Sequence, residues 1–326
     1  MAAAFRRVLP AGLKGRVREA IRRTERGRRL TDDIVTPTPE KAAGTPGAVH
    51  GPGIPILALM ATWNEEEIAY ASVRHALALG VDAVFVLDNA SDDATRTEVE
   101  AAGATVVMTY ATEQFDEAFK YELVNRQIPR LTAERGLDRA WWLMLDADEF
   151  LDVPGGSLPG FLAGVEAEAR VVGARVFDHY PSAPDGYVAR TNPLAQQPLC
   201  REVGYDACRA GHHKHPLFLV DADAPPISVS PGFHTLRARG RLRESARSVV
   251  LHHHPLRDAQ VARRRLAALA ARGTTADSRH RLQADGHMRA RLASLDAVYA
   301  GDFDAVIDHR TGGRGIRVHP WPEVAP

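Results

Sequence analysis

Cysteine, net charge and long apolar runs are all scarce in this chain. Its 326 residues include two cysteines, which excludes a disulfide framework and indicates a reducing compartment. The 41 Lys and Arg residues balance the 41 Asp and Glu residues, so we expect no nucleic-acid partner. No stretch approaches the roughly 20 apolar residues of a membrane-spanning helix. Arginines interrupt the apolar runs near the N-terminus, so we expect no signal peptide and a cytoplasmic location.

The two cysteines lie near histidines, which raises the question of a zinc site. Cys200, Cys208, His212 and His213 offer sulfur and nitrogen ligands. Their spacing lacks the tight Cys-x-x-Cys pair of structural zinc sites. We therefore favour the cysteines as small core residues over zinc ligands.

The composition, 45% apolar and 25% charged, is typical of a soluble globular protein. One asymmetry stands out, because residues 1–30 hold ten Lys and Arg against two Glu. We favour a solvated, partly helical tail there. The alternative is an interfacial helix that makes peripheral contact with the inner membrane face through anionic lipid. Its apolar contacts would be Phe5, Val8, Leu9, Leu13, Val17 and Ile21.

A Pro-, Gly- and Thr-rich linker follows this basic segment, and we expect the folded region to begin near Ile54. The chain then divides, on its patterns, into a strand-and-helix half, a looser mixed region, and C-terminal helices with a Pro-rich tail. The predicted parts are residues 1–50, 54–152, 153–256 and 257–326.

Apolar runs and helical patterns alternate along residues 56–146. The runs that predict buried strands are ILALMAT (56–62), AVFVLD (83–88), ATVVMTY (104–110) and AWWLMLD (140–146). A first helix is predicted over 64–80, with acids in its first turn. A loop and second helix are predicted over 89–103, with Ser91 or Asp92 as N-cap and Gly103 at the end. A third helix is predicted over 115–136, with Pro129 inside. This alternation predicts an α/β fold with a doubly wound, mostly parallel sheet.

The pattern loosens after residue 152. A strand is predicted at 169–180, and another at 248–255 ends in three histidines. The segment from Asp258 to Tyr299 is Arg-rich and helical in pattern. We therefore expect a small mixed C-terminal region with a helical tail.

Polar side chains follow three of the predicted buried strands. Ligands of doubly wound sheets collect at the carboxyl ends of the strands, so we expect these residues to converge on one crevice. They are Thr62, Trp63, Asn64 and Glu65 after the first strand, Asp88, Asn89, Ser91 and Asp92 after the second, and Asp146, Asp148 and Glu149 after the fourth.

The stretch LMLDADEF (143–150) carries the most specific chemistry. Asp148 points to the same side as Asp146 if the chain stays extended. Two close carboxylates repel each other unless a cation lies between them, and an oxygen ligand set suits Mg²⁺ or Mn²⁺. Such an ion favours phosphate as its other ligand and stabilises a departing diphosphate. An acidic loop after a strand is the plainer alternative.

Three ordered motifs, IPILALMATWNEEE, VFVLDNASDDAT and WWLMLDADEF, together resemble the nucleotide-sugar half of family 2 glycosyltransferases of the GT-A fold. The resemblance covers residues 54–152, and the LDADEF form is similar to a subgroup of bacterial transferases. It implies a GT-A fold, a nucleotide-diphospho-sugar donor linked to UDP or GDP, and Mn²⁺ or Mg²⁺ as cofactor. The acceptor is not implied.

The resemblance also implies residue roles. Thr62, Asn64 and Glu65 would line the base and ribose, and Trp63 would stack on the base. Asp88, with Asn89 beside it, would accept a hydrogen bond from the base. The remaining implied contacts are Lys120 and Asn125 near the nucleotide or sugar, Asp146 on the ribose, sugar or metal, and Asp148 on the metal.

The family often completes its metal site with a histidine beyond the acceptor region. LHHHPLR, at the end of a predicted strand, is the candidate here. Alternation points His252 and His254 one way and His253 the other, and we favour His253 as the ligand. An imidazole ligand favours Mn²⁺ over Mg²⁺. A solvent-exposed polar strand end is the alternative.

An inverting transfer needs a base near the acceptor hydroxyl. The candidates downstream of Asp148 are Asp178, Glu202 and Asp206, and His215 is a substitute. For each of the three carboxylates, we favour a surface or salt-bridged role over that of the base. The resemblance thus implies a metal-dependent, inverting glycosyltransferase. The alternatives are a nucleotidyltransferase on a similar sheet, which the acidic NEEE stretch disfavours, and a non-catalytic nucleotide- or metal-binding protein.

Overall fold

A computed structural model describes residues 48–181, 187–203, 214–240, 242–273, 278–308 and 313–321, with the backbone alone for 278–288. The strands are β1 Ile56–Thr62, β2 Ala83–Asp88, β3 Thr105–Thr109, β4 Arg139–Leu145, β5 Glu149–Asp152, β6 Val171–Tyr180, β7 Leu199–Glu202, β8 Lys214–Asp221, β9 Ser228–Val229, β10 Leu236–Arg237, β11 Glu244–His253 and β12 His319–Pro320. The α-helices are α1 Ala69–Ala78, α2 Thr95–Ala102, α3 Glu117–Glu134, α4 Leu158–Ala163, α5 Ala259–Arg272 and α6 Ser278–Tyr299.

The first half of the main sheet is parallel, in the order β3-β2-β1-β4. Its central strands are continuous apolar runs because both of their faces are covered. The order reverses at β1: α1 and α2 lead outward to β3, whereas α3 returns to β4. Right-handed crossovers therefore place α1 and α2, which pack together, on one face and α3 on the other.

The second half of the sheet is mixed and continues directly from β4. β8 pairs antiparallel with both β4 and β6, and β7 and β12 extend the edge beyond β6. β11 runs parallel to β6 and antiparallel to β5. The prediction of a mixed α/β fold with a central, mostly parallel sheet and a smaller mixed C-terminal region is confirmed.

Several predicted helix boundaries are wrong. α1 begins at Ala69, so the acids of the NEEE stretch lie in the preceding turn and none lies in its first helical turn. α2 has Ala94 as N-cap, without a side-chain cap, instead of Ser91 or Asp92. Gly103 does end α2, with a φ of 104°, as predicted. The helical pattern predicted over 258–299 corresponds to two helices, α5 and α6.

The core lies between the sheet and its helices, and the tryptophans of β4 are at its centre. Trp141 and Trp142 are both buried. The indole Nε1 of Trp142 donates to Thr132 Oγ1 on α3 at 3.0 Å, which pairs a polar group that would otherwise be buried alone. This contact fixes α3 against β4, the strand that carries the acidic turn.

Gly80 closes the turn between α1 and β2 against the start of α4. Its φ is +101°, and a Cβ there would lie 2.7 Å from Pro159 Cδ. Gly136, at the turn between α3 and β4, has a φ of +66° and open space where its Cβ would be. Both glycines therefore have a positive φ, but only at Gly80 would a Cβ atom clash with a neighbouring residue.

Replacing Gly80 with alanine is expected to destabilise the fold more than Gly136→Ala. Both changes impose a left-handed conformation, at about 1–2 kcal/mol. Overpacking against Pro159 adds roughly 1–3 kcal/mol in Gly80→Ala alone. Denaturant unfolding of the two variants measures the difference, and equal losses would contradict the close approach of α1 and α4.

Candidate functional site

A cavity of about 640 Å³ opens at the carboxyl ends of β1, β2 and β4. This is the edge of a doubly wound sheet where ligands bind. Helices α5 and α6 close its outer side. Its lining residues include Thr62, Trp63, Glu65, Asn89, Tyr110, Phe115, Lys120, Asp146, Asp148, Arg265, Leu269, Arg289 and Leu292.

The acidic stretch forms a tight turn between β4 and β5. β4 ends at Leu145, and the Glu149 N–H donates to the Asp146 carbonyl at 3.0 Å. The expectation that the chain stays extended through Asp148 is therefore wrong. The two aspartates line the same cavity, but their carboxylates have different partners.

Asp146 lies between two lysines. Its Oδ1 is 3.6 Å from Lys120 Nζ, and its Oδ2 is 3.3 Å from Lys214 Nζ. Lys214 also bonds Glu149. Burial by itself raises the pKa of Asp146, but the two ammonium groups outweigh it and lower that pKa. Asp146 is therefore ionised and pairs with both lysines, of which Lys120 lines the cavity.

Asp148 lies among three basic groups. Its Oδ2 is 3.6 Å from His253 Nε2, 3.5 Å from Arg265 Nη1 and 3.8 Å from Arg257 Nη1. Burial alone would raise the pKa of Asp148, but His253 and the arginines hold it well below its usual range. Burial likewise opposes protonation of His253, yet Asp148 and Asp178 raise its pKa to about 9. Ion pairs thus stabilise this buried cluster.

Glu65 joins the end of β1 to the C-terminal helices. Arg257 Nη2 donates to Glu65 Oε2 at 3.0 Å, and Arg265 pairs with the other carboxylate oxygen. Arg257 also pairs with Glu67. Burial raises the pKa of Glu65 to about 7, although both arginines act in the opposite direction. Glu65 therefore holds two guanidinium groups next to Asp148.

The three consecutive histidines alternate as the sequence predicts. His253 is half-buried beside the cavity, whereas His252 and His254 are buried on the other side. There His179 Nε2 lies 2.8 Å from His252 Nδ1, and its ring stacks on His254. Burial, then the charge of His252, lowers the pKa of His179 to about 4, and the pKa of His254 is also low. His179 and His254 are therefore neutral at neutral pH.

Six residues expected to contact the nucleotide or sugar line the cavity: Thr62, Trp63, Glu65, Asn89, Lys120 and Asp146. The Arg272 guanidinium lies 4.1 Å from the centroid of the Trp63 ring and donates to Thr112. Asn64 and Asp88, which were expected to contact the nucleotide as well, do not line the cavity. Asn64, with a φ of 54°, bonds Ser91 and Asp92, and the buried Asp88 carboxylate accepts from the Ser91 N–H at 3.2 Å.

Other predicted residues lie away from the cavity. The Asn125 side chain bonds the main chain of Val229 in both directions. Glu202 forms an exposed ion pair with Arg175. Asp178 contacts His253. Asp206 lies outside the described residues.

Of the remaining histidines and cysteines singled out in the sequence, two are described by the structure and three are not. His215 is buried, with Nε2 3.2 Å from Glu244 and Nδ1 on the His234 carbonyl. Cys200 is a buried free thiol, in keeping with a core role. Cys208, His212 and His213, like the basic segment 1–30, lie outside the described residues.

Sequence reasoning did not single out Lys214, Arg257, Arg265 or Arg272. A signal was present for Arg265 and Arg272, because a spacing of seven residues returns to one face of a helix after two turns, whereas Arg257 precedes α5. That face meets the cavity. Lys214 had no such signal, since β8 brings it to Asp146 through strand pairing across the sheet.

The residues around Asp148 fit a divalent cation that arrives with phosphate. In the described ranges no group of three or more His, Cys, Asp and Glu side chains is arranged to hold a metal by itself. Mg²⁺-like ions are commonly held by one or two protein ligands plus substrate phosphates. Asp148 and His253 provide a carboxylate oxygen and a ring nitrogen that face each other, which suits Mn²⁺. No helix in the described part of the chain is long and apolar enough to cross a membrane.

No protein-family model and no curated protein matches the chain. Among solved structures, glucosyl-3-phosphoglycerate synthase from Mycobacterium tuberculosis, in complex with Mn²⁺, UDP and its product, is 21% identical over 39% of this chain, at a TM-score of 0.27. The match spans 44% of that synthase's own chain. Mannosyl-3-phosphoglycerate synthase from Rubrobacter xylanophilus is 15% identical, covering 68% of this chain and 74% of its own, at a TM-score of 0.30. Similarity at this level does not establish a shared activity.

The histidine cluster predicts a loss of stability in acid. The unfolded chain binds a proton at His179 below its ordinary pKa of 6.5, whereas the folded protein does not until about pH 4. The free energy of unfolding therefore falls as pH drops through this window, by about 1.4 kcal/mol per pH unit for each such group. His179→Gln is expected to flatten this dependence, as measured by denaturant unfolding at several pH values. An unchanged slope would contradict a neutral, buried His179.

Proposed function

We propose that this protein is a metal-dependent glycosyltransferase of the GT-A type that uses a nucleotide-diphospho-sugar. The observation that carries the proposal is the pair formed by Asp148, which lines the cavity, and His253, whose Nε2 is 3.6 Å from the Asp148 carboxylate. The cavity is large enough for a nucleotide, and its floor is rich in basic groups. UDP or GDP is the proposed carrier, with an acceptor that the cavity does not identify.

Asp148 and His253 are the proposed protein ligands of Mn²⁺ or Mg²⁺. When bound, the ion neutralises charge on a leaving diphosphate as a Lewis acid. The same two side chains already form an ion pair in the protein. Because His253 carries a proton in that pair, we expect metal binding to release a proton.

Lys120, Lys214 and Arg265 are the proposed supports for the rest of the diphosphate charge. Asp146 pairs with both lysines, and Lys120 lines the cavity. Arg265 lines the cavity and is partly exposed, whereas Arg257 is buried. Arg265 is therefore the arginine best able to exchange a contact with Glu65 for one with phosphate.

The base end of the donor is assigned to the side of the cavity with Trp63 and Asn89. Trp63 provides a stacking surface. The Arg272 guanidinium lies over the Trp63 ring and donates a hydrogen bond to Thr112. The Asn89 amide has both donor and acceptor atoms for a base edge. Because Asp88 does not line the cavity, we propose Asn89 as the residue that contacts the base.

An inverting outcome is proposed from the family resemblance alone. Neither described candidate is placed as the base by its contacts, because Asp178 is bonded to His253 and Glu202 to Arg175. The division into a donor-binding half over 54–152, an acceptor- and metal-completing region over 153–256 and a C-terminal part over 257–326 is proposed with it.

Removing the Asp148 carboxylate is expected to abolish metal-dependent turnover of the donor. The wild type is tested on a panel of nucleotide sugars with Mn²⁺. It is expected to release a nucleoside diphosphate, the leaving group of the proposed transfer. Asp148→Ala is expected to lower that rate by at least about 100-fold, since the ion loses its carboxylate ligand. Asp221→Asn, at a surface ion pair with Arg139, is the control.

The products separate the alternatives. Release of pyrophosphate from a nucleoside triphosphate would indicate a nucleotidyltransferase. Nucleotide binding without turnover would indicate a non-catalytic protein. Full turnover in Asp148→Ala would remove the proposed metal role.

Arg265 and Arg263 provide a matched pair on α5. Arg265→Ala is expected to weaken UDP binding by about tenfold, because a charge-assisted contact contributes roughly 1.5 kcal/mol. Arg263 forms an exposed ion pair with Asp296, and Arg263→Ala is expected to leave UDP affinity unchanged. Calorimetric titration with UDP measures both, and equal affinities would assign the diphosphate elsewhere.

A further inference from the structure

Asp178 approaches the cavity from behind His253. It lies on β6 directly opposite His253 of β11 in the parallel pairing, and it is 3% exposed. Its Oδ1 lies 2.8 Å from His253 Nδ1. A buried carboxylate is costly, so its placement against the imidazole needs a physical reason.

The two ring nitrogens of His253 have different neighbours. Nδ1 donates to Asp178, whereas Nε2 faces Asp148 at 3.6 Å. An Nδ1–H donated to a carboxylate fixes the ring orientation and leaves the lone pair of the neutral imidazole on Nε2. The nitrogen that faces Asp148 is therefore the one available to a metal.

We propose that Asp178 is a positioning residue that presents His253 Nε2 to the metal, and that it is not the base of the transfer. The proposal rests on the proposed function. A carboxylate behind a ligating histidine raises the basicity of the ring, and its removal typically costs 10–100-fold in metal affinity. Asp178 acts on the ion only through His253.

The surroundings of Asp178 disfavour a role as base. It lines a separate cavity of about 30 Å³, bounded by Tyr180, Arg201 and Leu256. Such a space admits a water molecule but no sugar hydroxyl with its ring. Asp178 is not among the residues that line the main cavity.

A double-mutant cycle on metal binding tests the proposal. Mn²⁺ affinity is measured with UDP present, by electron paramagnetic resonance of free Mn²⁺, in wild type, Asp178→Asn, His253→Ala and the double variant. Asp178→Asn is expected to lose about tenfold in the wild-type background and nothing in the His253→Ala background. Asp178→Ala, which also loses the hydrogen bond, is expected to lose up to about 100-fold.

Glu244→Gln is the matched control, because Glu244 also contacts a buried histidine, His215, away from the cavity. It is expected to leave Mn²⁺ affinity unchanged. Thermal unfolding of each variant verifies that the fold is retained.

The outcomes distinguish the two proposals. Wild-type Mn²⁺ affinity in Asp178→Asn would overturn the positioning role while leaving the transferase assignment in place. A loss that persists in the His253→Ala background would also overturn it, because Asp178 would then act independently of His253. Mn²⁺ binding by wild type no tighter than by Asp148→Ala would instead overturn the metal role in the proposed function.

Discussion

Compensation of buried carboxylates is the constraint on which the site depends. The turn after β4 places Asp146, Asp148 and Glu149 close together, where they repel one another unless cations lie among them. The cations come from separate elements, with Lys120 on α3 and Lys214 on β8, while β11 and α5 contribute the basic groups around Asp148. A charged ligand set is thereby held in place inside the protein.

The same compensation joins the two halves of the chain. The parallel half provides Glu65 and the aspartates, and most of their basic partners follow residue 200. The main-chain bond from the His254 N–H to the Asp148 carbonyl, at 2.8 Å, fixes β11 against the acidic turn. Neither half holds this charge arrangement alone, so the cavity is a property of the assembled sheet.

The strands and the location of the cavity could be predicted because both depend on local patterns. Buried strands are continuous apolar runs, and their polar ends meet at one edge of the sheet. The alternation of the three histidines followed from strand geometry. Partners across the fold could not be predicted: Lys214 is brought to Asp146 by pairing of distant strands. The turn after Leu145 separated the aspartates because the chain bends back to form β5, which no local signal indicated.

The ion pairs between Glu65 and the C-terminal arginines span 192 and 200 residues of chain. Contacts of such high contact order form late in folding, because the entropy of closing a long loop is lost before the contact forms. During synthesis, the acidic turn leaves the ribosome well before α5 does. The nascent chain therefore passes through a stage in which these carboxylates lack their arginines, and the cavity is completed only after α5 has emerged.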